Sequence, residues 1–473
     1  MVVRRPAGPR VVSLGAMTER LVVVGGDASG ASAASQAKRA NPDGLDVVML
    51  ERGEWTSYSA CGIPYWIAGD VTGPDELVAR SPEEHRRTGI DVRMGTEATE
   101  IDLDARVVVA RDGEGRTERL GFDHLVIGTG ATPVRPNLPG VDHAGIYGVQ
   151  TIRDGAAVID RLAAMDADRR TLEQAVVVGA GYIGVEMAEA MKRRGMEVTM
   201  LDRAPEPMTT LDPDMGCLVR KAMEGFGVRV LGGQLVDGFE ADDGGWVRSV
   251  SASGTSYDAD IVILGLGARP ETTLAAEAGV DLGSSGGIRT DLRMAVTGQD
   301  QVFAVGDCVE SYDRVSRSWV HVPLGTHANK QGRVAGINIG GGYATFPGIV
   351  GTAVSKVCDL EIARTGLAMA AADRAGFRYE VVTVESTTRA GYLPDPQPMT
   401  VKMLAELGAG RLLGAQIVGR EGSAKRIDTC ALALWNEMTV DELMQTDLSY
   451  APPFSPVWDP VQTAARAVAA KLR

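Results

Sequence analysis

The sequence predicts an α/β protein with two Rossmann-like dinucleotide-binding domains followed by an α+β domain. Three observations carry this. A glycine-rich turn between an apolar strand and a helix occurs twice, each copy leads to a second apolar run ending in a carboxylate, and after Phe346 the pattern changes to β-branched alternation. In the first copy Leu21-Val22-Val23-Val24 reads as a buried strand, Gly25-Gly26-Asp27-Ala28-Ser29-Gly30 as the turn and Ala31 to Arg39 as a helix. Val47-Val48-Met49-Leu50 completes a βαβ unit and brings Glu51 and Arg52 to the strand end, where a carboxylate meets the ribose of an adenine dinucleotide.

The second copy runs Ala175-Val176-Val177-Val178, Gly179-Ala180-Gly181-Tyr182-Ile183-Gly184, a helix through Arg194 that carries Glu186, then Val198-Thr199-Met200-Leu201-Asp202. All three motif glycines are present: one for the tight turn, one for close approach of backbone N–H groups to pyrophosphate, one for packing of the helix on the strand. In the first copy Asp27 replaces the middle glycine, which is expected to narrow the approach to phosphate, while Glu51 supports the dinucleotide reading. Two further strand ends, Leu125-Val126-Ile127-Gly128-Thr129-Gly130-Ala131 and Val302-Phe303-Ala304-Val305-Gly306-Asp307, deliver small or acidic residues to a ligand and suit a flavin. Asp202 favours a free ribose 2′-hydroxyl and hence NADH, whereas Arg203 beside it is able to serve the 2′-phosphate of NADPH. In the last part, Val381-Val382-Thr383-Val384 and Val401-Lys402-Met403-Leu404 read as strands and Lys425 to Met438 as a helix.

The chain of 473 residues has room for about three domains. Its 48 basic and 62 acidic residues give a net charge of −14, which argues against nonspecific binding to nucleic acid or an anionic membrane. No run approaches eighteen apolar residues, so no transmembrane helix is expected. The five cysteines, 61, 217, 308, 358 and 430, have neither the spacing of a disulfide framework nor, with the five histidines, that of a metal site, and a reducing cytoplasm is expected. Residues 1–16 read as a disordered extension with Met17 as the functional start, because Met-Val-Val-Arg-Arg-Pro lacks the apolar core of a signal peptide.

Cys61 lies in Glu51-Arg52-Gly53-Glu54-Trp55-Thr56-Ser57-Tyr58-Ser59-Ala60-Cys61-Gly62-Ile63-Pro64-Tyr65, and the next cysteine is Cys217. A local dithiol is therefore impossible, so redox chemistry at Cys61 runs through one sulfur as a mixed disulfide, sulfenic acid or persulfide. The other four cysteines read as structural. His321 and His327 read as hydrogen-bonding histidines of the core or an interface.

These segments, with Pro323-Leu324-Gly325-Thr326-His327-Ala328-Asn329-Lys330-Gln331-Gly332-Arg333 and Tyr450-Ala451-Pro452-Pro453-Phe454-Ser455, resemble the pyridine nucleotide-disulfide oxidoreductases from about Leu21 to Val461. The resemblance is to the single-cysteine branch that contains coenzyme A-disulfide reductases, NAD(P)H polysulfide reductases and NADH oxidases. It implies FAD held by residues 17–140 and 268–343, NAD(P)H by 141–267, and a dimerisation domain over 344–473. It also implies a homodimer in which Cys61 lies beside the flavin and the partner copy supplies Tyr392 and Tyr450 to the sulfur. Phenols there can hydrogen-bond a thiolate or protonate a leaving one. A depressed Cys61 pKa is expected, supplied by a helix N-terminus.

Peroxidases and many oxidases of the family resemble G-x-x-H-x-G at the first turn, where this chain has Ala28. Gln36, Arg39 and Ser57 match residues that contact coenzyme A in the family, yet two expected lysines are Glu84 and Trp458 here, and an asparagine is Ala60. Arg86 and Arg87 are the available compensating charges. The resemblance implies a flavoprotein reductase of a small disulfide, persulfide or polysulfide; the alternatives are an NADH oxidase in which Cys61 cycles through sulfenic acid, and a flavin-bearing redox sensor.

Overall fold

The computed structural model describes residues 18–167 and 173–473, so the extension expected over residues 1–16 lies outside the described residues. The first sheet is parallel and five-stranded, ordered Val302–Ala304, His124–Ile127, Glu19–Val24, Leu45–Glu51 and Ile90–Met94. The second has the same plan: Val228–Leu231, Glu197–Leu201, Gln174–Val178, Ile261–Leu264 and Ile146–Gly148. Register repeats between them, with Val22 opposite Val48 and Leu125, and Val176 opposite Thr199 and Val262. Parallel strands buried on both faces need uninterrupted apolar runs, and Leu21, Val22, Val23, Val176 and Val177 are at most 1% exposed. In each sheet the order reverses beside the central strand, Glu19–Val24 or Gln174–Val178, which opens a crevice at the carboxyl ends.

The C-terminal part is a five-stranded antiparallel sheet ordered Ala353–Val357, Leu360–Gly366, Leu412–Gly419, Pro398–Glu406 and Tyr379–Thr387, with the helix Pro460–Leu472 packed on it. The α/β class and the α+β third part therefore stand as expected. Two element bounds differ. The first helix starts at Ala28, because Asp27 already has extended N-cap geometry. The helix expected over Lys425 to Met438 is a 3₁₀ turn, Ala424–Arg426, followed by Ile427–Trp435, and it stops because Glu437 takes φ +54°, outside the right-handed helical region. Among the described residues no helix is long and apolar enough to cross a membrane.

One buried ionic contact links the second sheet's layer to the third part. Lys402 and Asp212 are 5% and 3% exposed and lie 3.0 Å apart, and Gln416 donates to the same carboxylate at 2.8 Å. Asp212 leads into the helix Pro213–Gly225 while Lys402 and Gln416 are on neighbouring strands, so the contact fixes one layer against the other.

Candidate active site

The two glycine turns have the same construction. Gly25 and Gly179 each adopt φ +98°, and a Cβ there would lie 2.1 Å from the Gly128 carbonyl oxygen or 2.5 Å from that of Gly265. A Cβ on Gly30 or Gly184 would meet the carbonyl oxygen of Gly25 or Gly179 at 1.9 Å, so only glycine lets the helix sit this close to the turn. Neither the helix Ala28–Ala40 nor Tyr182–Arg193 is capped by a side chain. Their first N–H groups are left to a ligand, and the helix dipole favours an anion there.

Glu51 and Asp202 also match each other. Glu51 accepts from the backbone N–H of Gly26 at 2.8 Å and of Gly53 at 2.7 Å. Asp202 accepts from Ala180 N–H at 2.6 Å and Ala204 N–H at 2.7 Å. Each carboxylate thus grips the second residue of its turn, which holds it at the strand end where a ribose would reach it. Arg203 is exposed beside Asp202, and Arg52 lines a cavity of about 310 Å³ with Ala131, Thr132, Gln150 and Thr151.

The other predicted strand ends converge on the first turn. The Thr129 hydroxyl donates to the Glu271 carbonyl at 2.5 Å, and Gly130 turns the chain at φ +73° into Ala131–Pro133, which pairs with Ala268–Pro270. Ser29 is buried and donates to the Val305 carbonyl at 3.3 Å; a Cβ on Gly306 would strike its hydroxyl at 2.4 Å. The Gln331 side chain accepts from Gly306 N–H at 2.8 Å, and His321 donates to the Asp307 carbonyl at 2.8 Å. Burial pushes the Asp307 carboxyl up, with His321 opposing. His327 donates to the Val322 carbonyl at 3.3 Å. Both histidines therefore act as hydrogen-bonding residues.

Cys61 is the middle residue of the 3₁₀ turn Ala60–Gly62, which runs into the short helix Ile63–Ala68. The residue is exposed. Desolvation pushes its thiol up, and the negative charges of Glu186 and Asp307 push it further, opposite to the depressed value expected from the sequence. A six-residue helix supplies too little positive potential to offset them. Glu186 lies on the helix after the second turn and accepts from the Ser355 hydroxyl at 2.7 Å; burial, with repulsion from Glu189, raises its carboxyl to about 7. Ser355 belongs to the third part of the chain, a contact without a local sequence signal. Cys308 and Cys430 are fully buried.

Within one protomer Tyr392 and Tyr450 are partners of each other, not of Cys61. The proximity of Tyr450 raises the Tyr392 phenol, and the two residues are 75% and 47% exposed. Phe454 and Val457 nearby are 75% and 71% exposed, so the tyrosines lie on an apolar face able to meet another chain. Arg426 joins the two tyrosine-bearing loops: it donates to the carbonyls of Thr388 at 3.0 Å and Phe454 at 2.6 Å and pairs with Asp459 at 3.0 Å.

The description of the pyridine nucleotide-disulphide oxidoreductases matches residues 19–332, and that of their dimerisation domain matches residues 352–460. The chain belongs to this family. An NADH oxidase of Methanocaldococcus jannaschii is 35% identical over 96% of this chain and 99% of its own, and an NAD(P)H coenzyme A polysulfide/persulfide reductase of Pyrococcus horikoshii is 35% identical over 95% and 98%. Among solved structures, an NAD-dependent persulfide reductase from A. fulgidus superposes with a TM-score of 0.91 at 36% identity, covering 96% of this chain and 83% of that one. FAD and NAD(P)H are therefore the cofactors of this oxidoreductase, and the uncapped helix starts and tight turns described above fit two dinucleotides.

The residues that the resemblance associates with coenzyme A have local partners in this chain. Arg39 donates to Gln36 at 3.0 Å along the first helix, and Ser57, at φ +51°, has its hydroxyl 2.9 Å from the buried His85. Glu84 is taken up by its own helix start, accepting from Ser81 N–H at 2.8 Å in a capping box. Arg86 pairs with Glu83 at 3.0 Å and donates to the Val92 carbonyl at 2.8 Å, so it is committed locally. Trp458 is covered by the Arg466 guanidinium at 4.9 Å.

Proposed function

We propose that this oxidoreductase uses NADH, through FAD, to reduce a small-molecule disulfide, persulfide or polysulfide at the single redox sulfur of Cys61. The observation that carries the reading is Cys61 itself: a lone sulfur on a turn, with Glu186 of the helix after the second glycine turn and Asp307 at a strand end of the first sheet as its electrostatic neighbours. Residues 17–140 and 268–343 hold FAD, 141–267 hold the nicotinamide nucleotide, and 344–473 pair two copies as a homodimer in a reducing cytoplasm. The first-turn N–H groups after Gly26 seat the FAD pyrophosphate while Glu51 takes its ribose; the turn at Gly179 to Gly184 and Asp202 do the same for NADH.

Bound FAD supplies the two-electron relay between nicotinamide and sulfur. Cys61 thiolate attacks one sulfur of the acceptor, forms a mixed disulfide and expels the first thiolate; two electrons then cleave that bond, returning Cys61 thiolate and the second thiolate. For a disulfide the balance is one NADH, one proton and one disulfide giving NAD⁺ and two thiols. Tyr392 and Tyr450 of the partner subunit approach this sulfur and give the leaving thiolate its proton, since a phenol is protonated at neutral pH and able to donate.

The relative named NADH oxidase favours a second reading, in which dioxygen is the acceptor and Cys61 passes through sulfenic acid. One experiment separates them: oxidation of NADH and NADPH by the FAD-loaded enzyme, anaerobically with coenzyme A disulfide, other small disulfides and polysulfide, and aerobically without them. Fast anaerobic turnover abolished by Cys61→Ser is the expected result. Turnover with oxygen alone overturns the first reading.

A further inference from the structure

Asp27 stands where the motif has its middle glycine, and the expected consequence was a crowded phosphate site. The two turns show that the backbone conformation itself does not call for glycine there. Asp27 has φ −95° and ψ −159°, and Gly181 at the same position of the second turn has φ −78° and ψ −169°, so the backbone is extended in both and does not require glycine. A Cβ added to Gly181 would meet only the Gly265 carbonyl, at 3.9 Å, which is ordinary contact. The side chain at this position is thus free to serve another purpose.

An aspartate at an N-cap ordinarily accepts from the N–H groups of its own helix. Asp27 makes no such bond. Its Oδ1 instead accepts from the backbone N–H of Tyr58 at 3.1 Å, across to the segment that carries Cys61. This leaves the helix start open to phosphate and moves the aspartate's charge to the other side of the turn. Beside it the fully buried Thr56 donates its hydroxyl to the Gly26 carbonyl, so two bonds fasten the glycine turn to the redox segment. On its far side that segment is held by Ser59 N–H donating to the Leu77 carbonyl and Ala79 N–H to the Ser57 carbonyl, both at 2.8 Å. Three residues after Tyr58 comes the sulfur.

We propose that Asp27 is a positioning residue for Cys61: its bond to Tyr58 N–H sets where the sulfur stands relative to the turn that seats the flavin's phosphates. The inference rests on Cys61 being the redox sulfur. Of the contacts that hold the segment, only those of Thr56 and Asp27 tie it to the glycine turn; without Asp27 a single side-chain bond sets its distance from that turn.

The test compares Asp27→Gly, which restores the motif and removes the bond, with Asp27→Asn, which keeps an oxygen acceptor for Tyr58 N–H. In FAD-loaded protein, Asp27→Gly is expected to bind FAD within about threefold of the parent and to be reduced by NADH at the parental rate, while turnover with the disulfide acceptor falls about tenfold, the equivalent of one hydrogen bond. Asp27→Asn is expected to restore that turnover. Independently of activity, the rate at which iodoacetamide alkylates Cys61 is expected to change in Asp27→Gly and to return to the parental rate in Asp27→Asn, with Cys61→Ser identifying the labelled sulfur. If both variants tighten FAD binding and neither alters Cys61 alkylation, Asp27 acts on the phosphate and the proposal fails. Equal losses in both half-reactions, with a lowered Tm, also overturn it as a purely structural effect. Retained turnover in Cys61→Ser would instead overturn the assigned function, while the alkylation rates still decide the contact.

Discussion

Replacing Glu186 by Gln should stabilise the protein in a pH-dependent way and make Cys61 more reactive. The carboxyl of Glu186 is raised from an ordinary 4.5 to about 7, chiefly by burial. At about 1.4 kcal/mol for each pKa unit, ionising it in the folded protein costs about 3 kcal/mol more than in the unfolded chain. The folded state binds this proton more tightly, so the cost is absent below about pH 4.5, grows between 4.5 and 7, and is complete above 7. Glutamine keeps an oxygen to accept from Ser355 but cannot ionise. The Tm of Glu186→Gln should therefore match the parent near pH 4.5 and exceed it by several degrees at pH 8. Asp27, raised to about 6 by burial, contributes a similar slope to both proteins and cancels in the difference. Because the Glu186 charge pushes the Cys61 thiol up, alkylation of Cys61 at pH 8 should be faster in the variant. Parallel Tm curves, or a variant less stable at every pH, would refute the burial argument; a pH-dependent gap without faster alkylation would refute the coupling to Cys61.

Removing the buried cation by Lys402→Met strands Asp212, which keeps Gln416 and the Met369 N–H as partners, so a loss of about 3 kcal/mol is expected in thermal or denaturant unfolding; adding Asp212→Asn should recover most of it. Arg426→Lys cannot serve the Thr388 and Phe454 carbonyls and Asp459 at once; disulfide turnover should fall about tenfold with NADH affinity unchanged, and the Tyr392 phenol should titrate lower, towards its ordinary range, in a difference titration against Tyr392→Phe. Glu84→Lys gives up a helix cap worth about 1 kcal/mol but replaces a carboxylate by a phosphate-pairing cation, so KM for coenzyme A disulfide should fall about fivefold while KM for an uncharged disulfide stays put; an equal change for both would show that Glu84 does not face the acceptor.

Strands such as Leu21–Val24 and Val176–Val178 were legible because a parallel sheet covered on both faces admits only apolar runs, and that demand is written residue by residue. The glycine turns were legible for a steric reason: at Gly30 and Gly184 any Cβ meets a carbonyl at 1.9 Å, so the residue type reports the geometry directly. The partners of the site were not. Ser355 bonds to Glu186 across 169 positions and Gln416 to Asp212 across 204, and any serine or glutamine would read the same from its own neighbourhood. Nor was the partner of Asp27 legible: Tyr58 N–H reaches it only because the later segment folds back over the turn. The helix expected through Met438 failed on Glu437, whose positive φ has no counterpart in its side-chain propensity.

The reversal at Cys61 has a consequence for how the enzyme works. A redox thiol has to reach its thiolate form near neutral pH. One protomer does the opposite, since desolvation and the charges of Glu186, Asp307 and Asp27 all favour the protonated sulfur. Two of these carboxylates have bonds of their own, Glu186 to Ser355 and Asp27 to Tyr58 N–H. The compensating stabilisation then has to come from groups that complete the site: bound dinucleotide and donors from a second copy. The exposed Tyr392–Tyr450 pair is a donor set of that kind, tied together by Arg426 at the apolar face that also carries Phe454 and Val457.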